Sequence, residues 1–334
     1  MATAPPAVDS DASAEAGPIR RAGVVGLIGR TNVGKSTLLN RLLGEKLAII
    51  TPRPQTTRSR LLGVKRFGEA QLALVDSPGL HRAEGPGRTQ LNRYMQKEAL
   101  AVLAEVDVVL LITDIRQLLR QSSDDPPPAE LPPGDRYVAD HLLAAGKPAV
   151  LAINKIDLLR DRRLLLPLME AWDKTLRPAA IVPISAAYGD GLERLVAELI
   201  PLLPEGPALF PEDMLTDRAE RWLAAELVRE QVFLATRQEV PYAAAVTVDD
   251  WQERTVGGRR VGVTIHATIH VEKPAQKKIV VGEGGRMVRH IGTRARAEIA
   301  KLLGCPVHLE LFVRVDPRWS RTQAGLREMG YGGR

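Results

Sequence analysis

The residues from Gly29 to Ser36 read Gly-Arg-Thr-Asn-Val-Gly-Lys-Ser and fit the pattern G-x-x-x-x-G-K-[ST]. A short apolar run precedes them and a helical pattern follows, which is the strand-loop-helix context that a phosphate-binding loop requires. Glycines let backbone N–H groups close around phosphate oxygens, and the N-terminus of a helix favours an anion. We therefore predict a nucleoside triphosphate site, rather than a simple glycine-containing turn, at Gly29, Arg30, Thr31, Asn32, Val33, Gly34, Lys35, Ser36 and Thr37.

Three oxygen-bearing side chains are candidates for holding a Mg²⁺ ion beside the phosphates. The Ser36 hydroxyl directly follows Lys35, which we expect to reach the β- and γ-phosphates. Asp76 comes directly after a predicted strand and suits the same ion through a water molecule. A hydroxyl in the polar segment 52–58 completes the shell when triphosphate is bound, and we assign this role to Thr57. The predicted metal ligands are Ser36, Thr57 and Asp76.

Asp76 opens the tetrapeptide Asp-Ser-Pro-Gly, whose last residue, Gly79, suits a backbone contact with a γ-phosphate. Alone, this tetrapeptide is more often a turn, and it gains weight from the other motifs around it. The predicted catalytic set is Lys35, Thr57, Asp76 and Gly79. The nucleotide site also takes in Ser77, Pro78 and Leu80.

A second motif predicts which base is bound. Asn154-Lys155-Ile156-Asp157 follows a predicted strand, residues 149–153, at the edge where ligands bind in a parallel sheet. A carboxylate only accepts hydrogen bonds, so Asp157 suits the N1–H and amino donors of guanine, a pair that adenine lacks. Ser185 and Ala186 follow the next strand, where a loop can close over the base or simply precede a helix. The sequence therefore favours a guanine nucleotide.

Strand and helix patterns alternate over the first two thirds of the chain, which predicts an α/β fold with a doubly wound, mostly parallel sheet. Residues 117–134, rich in proline, interrupt this rhythm as an insertion, and residues 201–211 carry four prolines, too many for a helix. We predict a disordered tail at residues 1–20, a nucleotide-binding domain at 21–204, a linker at 205–216, a second domain at 217–316 and a C-terminal tail at 317–334.

The composition is that of a globular protein with a basic C-terminal part. Of 334 residues, 45% are hydrophobic and 26% charged, which excludes wholesale disorder. The net charge of +6 is uneven, since residues 251–334 carry 16 basic and 7 acidic residues. Such a basic end is typical of a module that binds a polyanion. The single cysteine excludes an internal disulfide, and no apolar run approaches the length of a membrane span.

The basic part has the element order α-β-β-α-α-β, a smaller α+β module, with a G-x-x-G loop between its second and third helices. Such a loop in a KH domain clamps the backbone of about four nucleotides of single-stranded RNA. We predict RNA contacts at Lys273, Lys277, Lys278, Gly282, Glu283, Gly284, Gly285, Arg286 and Arg289.

These motifs, in this order and spacing, resemble the Era family of bacterial ribosome-associated GTPases over residues 23–331. The resemblance implies a P-loop NTPase domain followed by a type II KH domain, and hydrolysis of GTP to GDP with Mg²⁺. It further implies binding of the 3′ region of 16S rRNA and a role in assembly of the 30S subunit. A cytoplasmic location, with peripheral association with the inner membrane face, is also implied; no protein partner is predicted.

Several positions qualify the resemblance. Leu80 stands where many GTPases carry a glutamine that orients the attacking water. Members of this family are similar in having an apolar residue there, so slow intrinsic turnover is expected. Asn32 matches the asparagine through which some relatives bind K⁺, or is a turn residue that tolerates a left-handed backbone. Glu283 stands where relatives usually have a basic residue; either its basic neighbours compensate, or RNA binds more weakly or in another register.

Two other functions stay open on the sequence. One is an RNA-binding or chaperone protein with a vestigial nucleotide site, against which the intact phosphate and guanine motifs argue. The other is a different RNA-associated GTPase, which the combination of one GTPase domain with one KH module disfavours.

Overall fold

The computed structural model describes residues 17–81, 89–116 and 130–332. They form two compact units that interleave along the chain. Within the described residues, the first unit holds 17–48, 57–81, 95–116 and 130–217, and the second holds 49–56, 89–94 and 218–332. Most of the predicted tail, residues 1–16, and most of the predicted insertion, residues 117–129, lie outside the described residues.

The first unit is built on a six-stranded sheet in the order β2-β3-β1-β4-β5-β6. All neighbouring strands are parallel except β2 and β3, which form an antiparallel pair at one edge. Every residue of β4 and β5 is buried, as expected for central strands covered on both faces. The strands are β1 Arg21–Ile28, β2 Leu61–Phe67, β3 Ala70–Asp76, β4 Val108–Asp114, β5 Ala149–Asn154 and β6 Ala180–Pro183.

In the described part of the chain, five α-helices accompany this sheet. In α5, buried residues fall at Leu192, Leu195, Val196 and Leu199, the spacing that places them on one helical face. Helix α1 is capped at its C-terminus by Gly44, which has a left-handed backbone and donates its N–H to the Asn40 carbonyl. The helices are α1 Lys35–Leu43, α2 Gln90–Glu105, α3 Pro133–Ala145, α4 Leu165–Leu176 and α5 Leu192–Leu199.

The second unit packs helices against a three-stranded sheet in the order β7-β8-β9, with β8 and β9 parallel. Its core joins residues of α6, α9 and the buried face of β8, and Ile49 also belongs to it. The elements are α6 Glu220–Ala235, α7 Val240–Ala243, β7 Ala245–Val256, β8 Arg259–Val271, α8 Pro274–Val281, α9 Arg286–Leu303, β9 Val307–Val315 and α10 Gln323–Glu328. Among the described residues, no helix combines the length and apolarity needed to cross a bilayer.

The predicted fold class is confirmed: a doubly wound, mostly parallel sheet is followed by a smaller α+β unit. The structure adds order at predicted boundaries. Pro133 and Gly134, assigned to the insertion, form the first turn of α3. The predicted linker, 205–216, is held by Gln71 of β3, whose side chain accepts from the N–H groups of Leu209 and Phe210 and donates to the Phe210 carbonyl.

The predicted C-terminal tail is folded as far as Gly332. Trp319 is buried, and its indole N–H donates to the Ala243 carbonyl at 2.9 Å. Its ring stacks on Tyr331, with centroids 5.9 Å apart, and Tyr331 also contacts Tyr94. These residues escape a pattern search because a short helix with few apolar residues has no clear periodicity.

We expect Trp319→Ala to lower the free energy of unfolding by about 3–5 kcal/mol, because it removes a buried aromatic ring. Trp319→Phe should cost about 1–3 kcal/mol, since the ring stays but the Ala243 carbonyl loses its donor. Urea unfolding followed by circular dichroism measures both changes. Gln323→Ala, exposed on α10, is the control. A loss for Trp319→Ala no larger than that of the control would show that this segment contributes no stability.

Candidate nucleotide and RNA sites

The predicted phosphate-binding loop connects the end of β1 to the start of α1. Gly34 adopts a left-handed backbone, φ 106°, immediately before the first turn of the helix. A Cβ atom there would lie 2.2 Å from Nδ2 of Asn154, so only glycine fits. The loop therefore presents its backbone N–H groups and the N-terminus of α1 together, which is what a phosphate group requires. Thr37 lies in the first turn of this helix.

Lys35 is buried inside the loop. Its Nζ donates to the carbonyl oxygens of Arg30, at 2.9 Å, and Gly29, at 3.4 Å. Burial lowers the pKa of Lys35 from 10.5 to about 8, and the negative charge of Asp76 partly offsets this effect. A buried ammonium that donates to two carbonyl oxygens is positioned to gain from an arriving anion.

The three predicted metal ligands lie together. The Ser36 Oγ donates to Oδ2 of Asp76 at 2.6 Å and lies 2.8 Å from the Thr57 hydroxyl oxygen. Thr57 donates to the same carboxylate oxygen at 3.1 Å. Asp76 is fully buried, and desolvation raises its pKa despite the nearby Lys35 charge. Its Oδ1 has no hydrogen-bond partner within the described part of the chain.

This donor set fits Mg²⁺. The ion prefers hard oxygen ligands, and it is commonly held by one or two carboxylates together with substrate phosphates. A buried carboxylate with an unsatisfied oxygen beside two hydroxyls supplies such ligands.

The Asp-Ser-Pro-Gly loop lies directly against the phosphate-binding loop. A Cβ atom at Gly79 would lie 2.6 Å from the Thr31 nitrogen, so the two backbones approach closely. Leu80 donates its N–H to the Gly29 carbonyl at 3.0 Å, and its side chain is buried in the core. Ser77 donates its hydroxyl to the Leu27 carbonyl at 2.8 Å, which is a structural contact. Pro78 is buried as well.

The predicted guanine-binding loop is organised by Asn154. Its Nδ2 donates to the Val33 carbonyl at 2.8 Å, and its Oδ1 accepts from the backbone N–H groups of Lys155 and Ala186. Asp157 is exposed, and its Oδ1 accepts from the Ser185 hydroxyl at 2.6 Å. The structure thus connects the end of β5, which precedes this exposed carboxylate, to the phosphate-binding loop through Asn154. Ile156 is buried.

Sequence reasoning missed Asp114, the last residue of β4, and Arg116, which follows it. Asp114 is buried and forms ion pairs with Lys155 at 2.9 Å and Arg116 at 2.6 Å. Both cations also donate to the Asn32 carbonyl, at 2.8 and 3.0 Å. This clamp fixes the left-handed turn at Asn32, φ 63°. The available signal was an aspartate at the carboxyl end of a buried strand.

A second buried carboxylate, that of Asp135, holds Arg30 of the phosphate-binding loop. Arg30 forms an ion pair with Asp135 at 2.8 Å, and Thr113 donates to the same carboxylate. Desolvation raises the pKa of Asp135, and the Arg30 charge acts against it. Asp135 lies in the first turn of α3, where sequence reasoning placed no functional residue.

In the second unit, the glycine-rich loop joins α8 to α9. Gly282, Gly284 and Gly285 all have positive φ, between 57° and 76°, so the chain turns tightly there. Glu283 forms an ion pair with Arg286, and Arg289 donates to the Gly284 carbonyl. The predicted basic side chains are exposed on α8, on α9 or just before them: Lys273, Lys277, Lys278, Arg286 and Arg289.

Known proteins share this arrangement. Residues 24–155 match the family described as "50S ribosome-binding GTPase", and residues 239–320 match the KH domain. The GTPase Era of Syntrophus aciditrophicus is 45% identical over 311 residues, which cover 93% of this chain and 95% of that protein. This chain belongs to the Era family. The Era protein of Geobacter metallireducens is 46% identical, over 93% of this chain and 98% of its own.

Solved Era structures agree along the same length. A point variant of Aquifex aeolicus Era bound to GDP·AlF4⁻ aligns with a TM-score of 0.84 and 39% identity, covering 93% of this chain and 99% of that one. Era in complex with MgGDPNP and nucleotides 1506–1542 of 16S ribosomal RNA aligns with a TM-score of 0.84 and 38% identity, with the same coverage. As a member of the Era family, this chain is a GTPase.

The burial of Lys35 leads to a pH prediction for the nucleotide-free GTPase. Between pH 8 and 10.5 the unfolded chain binds the Lys35 proton and the folded chain does not. The free energy of unfolding of the wild type should therefore rise relative to that of Lys35→Met as the pH increases through this range, by on the order of 2 kcal/mol.

Urea unfolding at several pH values between about 7 and 10 measures this difference. Lys97→Met, exposed on α2, should stay parallel to the wild type. A difference between wild type and Lys35→Met that does not change with pH would show that the buried lysine keeps an ordinary pKa.

Proposed function

We propose that this GTPase binds the 3′ region of 16S rRNA through its KH domain and acts in assembly of the 30S subunit, with GTP and Mg²⁺ controlling the cycle. The observation that carries the nucleotide half is the cluster of Ser36, Thr57 and Asp76 beside the buried Lys35. The RNA half is supported by the exposed basic side chains that flank the glycine-rich loop between α8 and α9, and by the related Era bound to a 16S rRNA fragment.

The chain's own residues account for most of the proposed mechanism. A phosphate in the loop would accept the hydrogen bonds that Lys35 now donates to carbonyl oxygens. Its negative charge would keep the ammonium protonated. Mg²⁺, held by Ser36, Thr57 and Asp76, would supply positive charge to the phosphate oxygens. Gly79, which packs against Thr31, would contact the γ-phosphate through its backbone.

Leu80 sets a limit on intrinsic hydrolysis. Its side chain is buried and apolar, so it cannot hold a water molecule by hydrogen bonding. The attacking water must be oriented by other groups, and we infer that turnover without a partner is slow.

The guanine assignment is tested by Asp157→Asn. An amide offers a donor where the carboxylate only accepts, so we expect GTP affinity to fall roughly 100-fold and XTP to become the preferred nucleotide. Competition of GTP, ATP and XTP against a fluorescent GDP analogue measures this change. Asp173→Asn, exposed on α4, is the control. Equal competition by ATP in the wild type would remove the guanine assignment.

The RNA assignment is tested at the loop acid. Glu283 is paired with Arg286 at the surface, so Glu283→Gln frees a cation and removes a negative charge. We expect the affinity for an RNA with the sequence of nucleotides 1506–1542 to rise about threefold at low salt. The affinity should also fall more steeply with salt concentration, by the equivalent of up to about one additional phosphate contact.

Glu328→Gln, exposed on α10, changes the net charge equally and serves as the control. An equal gain in both variants would indicate non-specific attraction, and unchanged binding in Glu283→Gln would place the RNA away from this loop.

Three finer assignments complete the proposal. We propose that Asn32 holds K⁺ near the phosphates; equal hydrolysis rates in KCl and NaCl would exclude this role. The clamp on the Asn32 carbonyl supports a fixed position for the residue. We also propose the cytoplasm as its compartment and peripheral contact with the inner membrane face, for which the basic charge of residues 251–334 suits anionic lipids.

A further inference from the structure

Residues 49–56, which lead into Thr57, belong to the second unit and are fastened to its helix α6. Ile49 is buried in the core of that unit. The Ile50 N–H donates to Oε1 of Glu230 at 2.8 Å, and Nη2 of Arg229 donates to the Thr56 carbonyl at 2.6 Å. Two consecutive charged residues of one helix therefore hold both ends of the segment.

Arg229 is an unusual residue for this place, because its side chain is 0% exposed. It forms an ion pair with Glu226 and lies over the ring of Phe233, 5.4 Å from the centroid. Its Nη1 is buried and has no hydrogen-bond partner among the described residues. Burying a guanidinium with an unsatisfied N–H is costly, so a purely packing role would be served better by an apolar side chain.

The hydrogen bond from Arg229 to the Thr56 carbonyl also constrains the next residue, Thr57. The carbonyl of Thr56 lies in the same planar peptide group as the nitrogen and Cα of Thr57. Fixing that oxygen therefore fixes the orientation of the peptide plane from which Thr57 projects. The Thr57 hydroxyl lies 3.1 Å from the Asp76 carboxylate, in the proposed Mg²⁺ site.

We propose that Arg229 is a positioning residue for the triphosphate-bound state, which it favours by holding the Thr56 peptide so that Thr57 meets the metal site. The inference rests on the proposed role of Thr57 as a Mg²⁺ ligand. GDP needs the phosphate-binding loop and the guanine loop but not Thr57. Arg229 therefore contributes to the preference for triphosphate over diphosphate and not to nucleotide binding in general.

The test compares the affinities of the full-length chain for GDPNP with Mg²⁺ and for GDP. Arg229→Met should weaken GDPNP binding about tenfold, the loss expected for one charge-assisted hydrogen bond, and leave GDP binding within about twofold. Arg229→Lys keeps one charged donor and should recover part of the loss. Arg221→Met, exposed on the same helix, is the matched control.

Equal losses for GDPNP and GDP in Arg229→Met would show that the residue only supports the fold, and no loss for either would also overturn the proposal. A melting curve and binding of the 16S rRNA fragment establish that each variant is folded. If Arg229→Met does not fold, Arg229→Lys is compared with the wild type, and the same selective loss for GDPNP, of smaller size, is expected.

Thr57→Ala separates this inference from the proposed function. If Thr57→Ala keeps the wild-type ratio of GDPNP to GDP affinity, the assignment of Thr57 to Mg²⁺ is wrong, and the argument for Arg229 falls with it. If Thr57→Ala lowers the ratio of GDPNP to GDP affinity but Arg229→Met leaves it unchanged, the assignment of Thr57 to the metal site stands and only the positioning role of Arg229 is wrong.

Discussion

The carboxamide of Asn154 is the contact on which the nucleotide site depends. Its nitrogen donates to the Val33 carbonyl of the phosphate-binding loop, and its oxygen accepts from the backbone of Ala186. One buried side chain, at the end of a central strand, thereby joins three loops that are far apart in sequence. Because both ends of an amide are needed, an isosteric carboxylate or an apolar residue would leave at least one buried backbone group unpaired.

The phosphate-binding loop is fixed further by the ion pairs of two buried carboxylates. Asp114 brings Lys155 and Arg116 onto the Asn32 carbonyl, and Asp135 holds Arg30. A loop that must bind an anion through its backbone gains from such fixation, since less conformational entropy is lost on binding. The charged side chains around the site therefore fix the conformation of the loop as well as contribute to its electrostatic potential.

Sequence reasoning found the parts of the site that are encoded locally. The phosphate-binding loop, Asp76 and Asp157 follow strands that are continuous apolar runs, and the structure places them on one sheet edge as parallel topology requires. Asp114 and Arg229 were missed, because their significance depends on which distant backbone groups the fold brings to them. Trp319 was assigned to a tail for the same reason: its partner, Ala243, is 76 residues away.

The second unit is assembled from three stretches of the chain, and this affects how it can be treated as a module. A fragment that begins at Arg218 keeps the KH elements but lacks Ile49 in the core and Tyr94 against Tyr331. Such a fragment exposes apolar surface that the whole chain covers. Recombination that exchanged the C-terminal third between distant relatives would separate these residues from their partners, so the two parts of the gene are expected to evolve together.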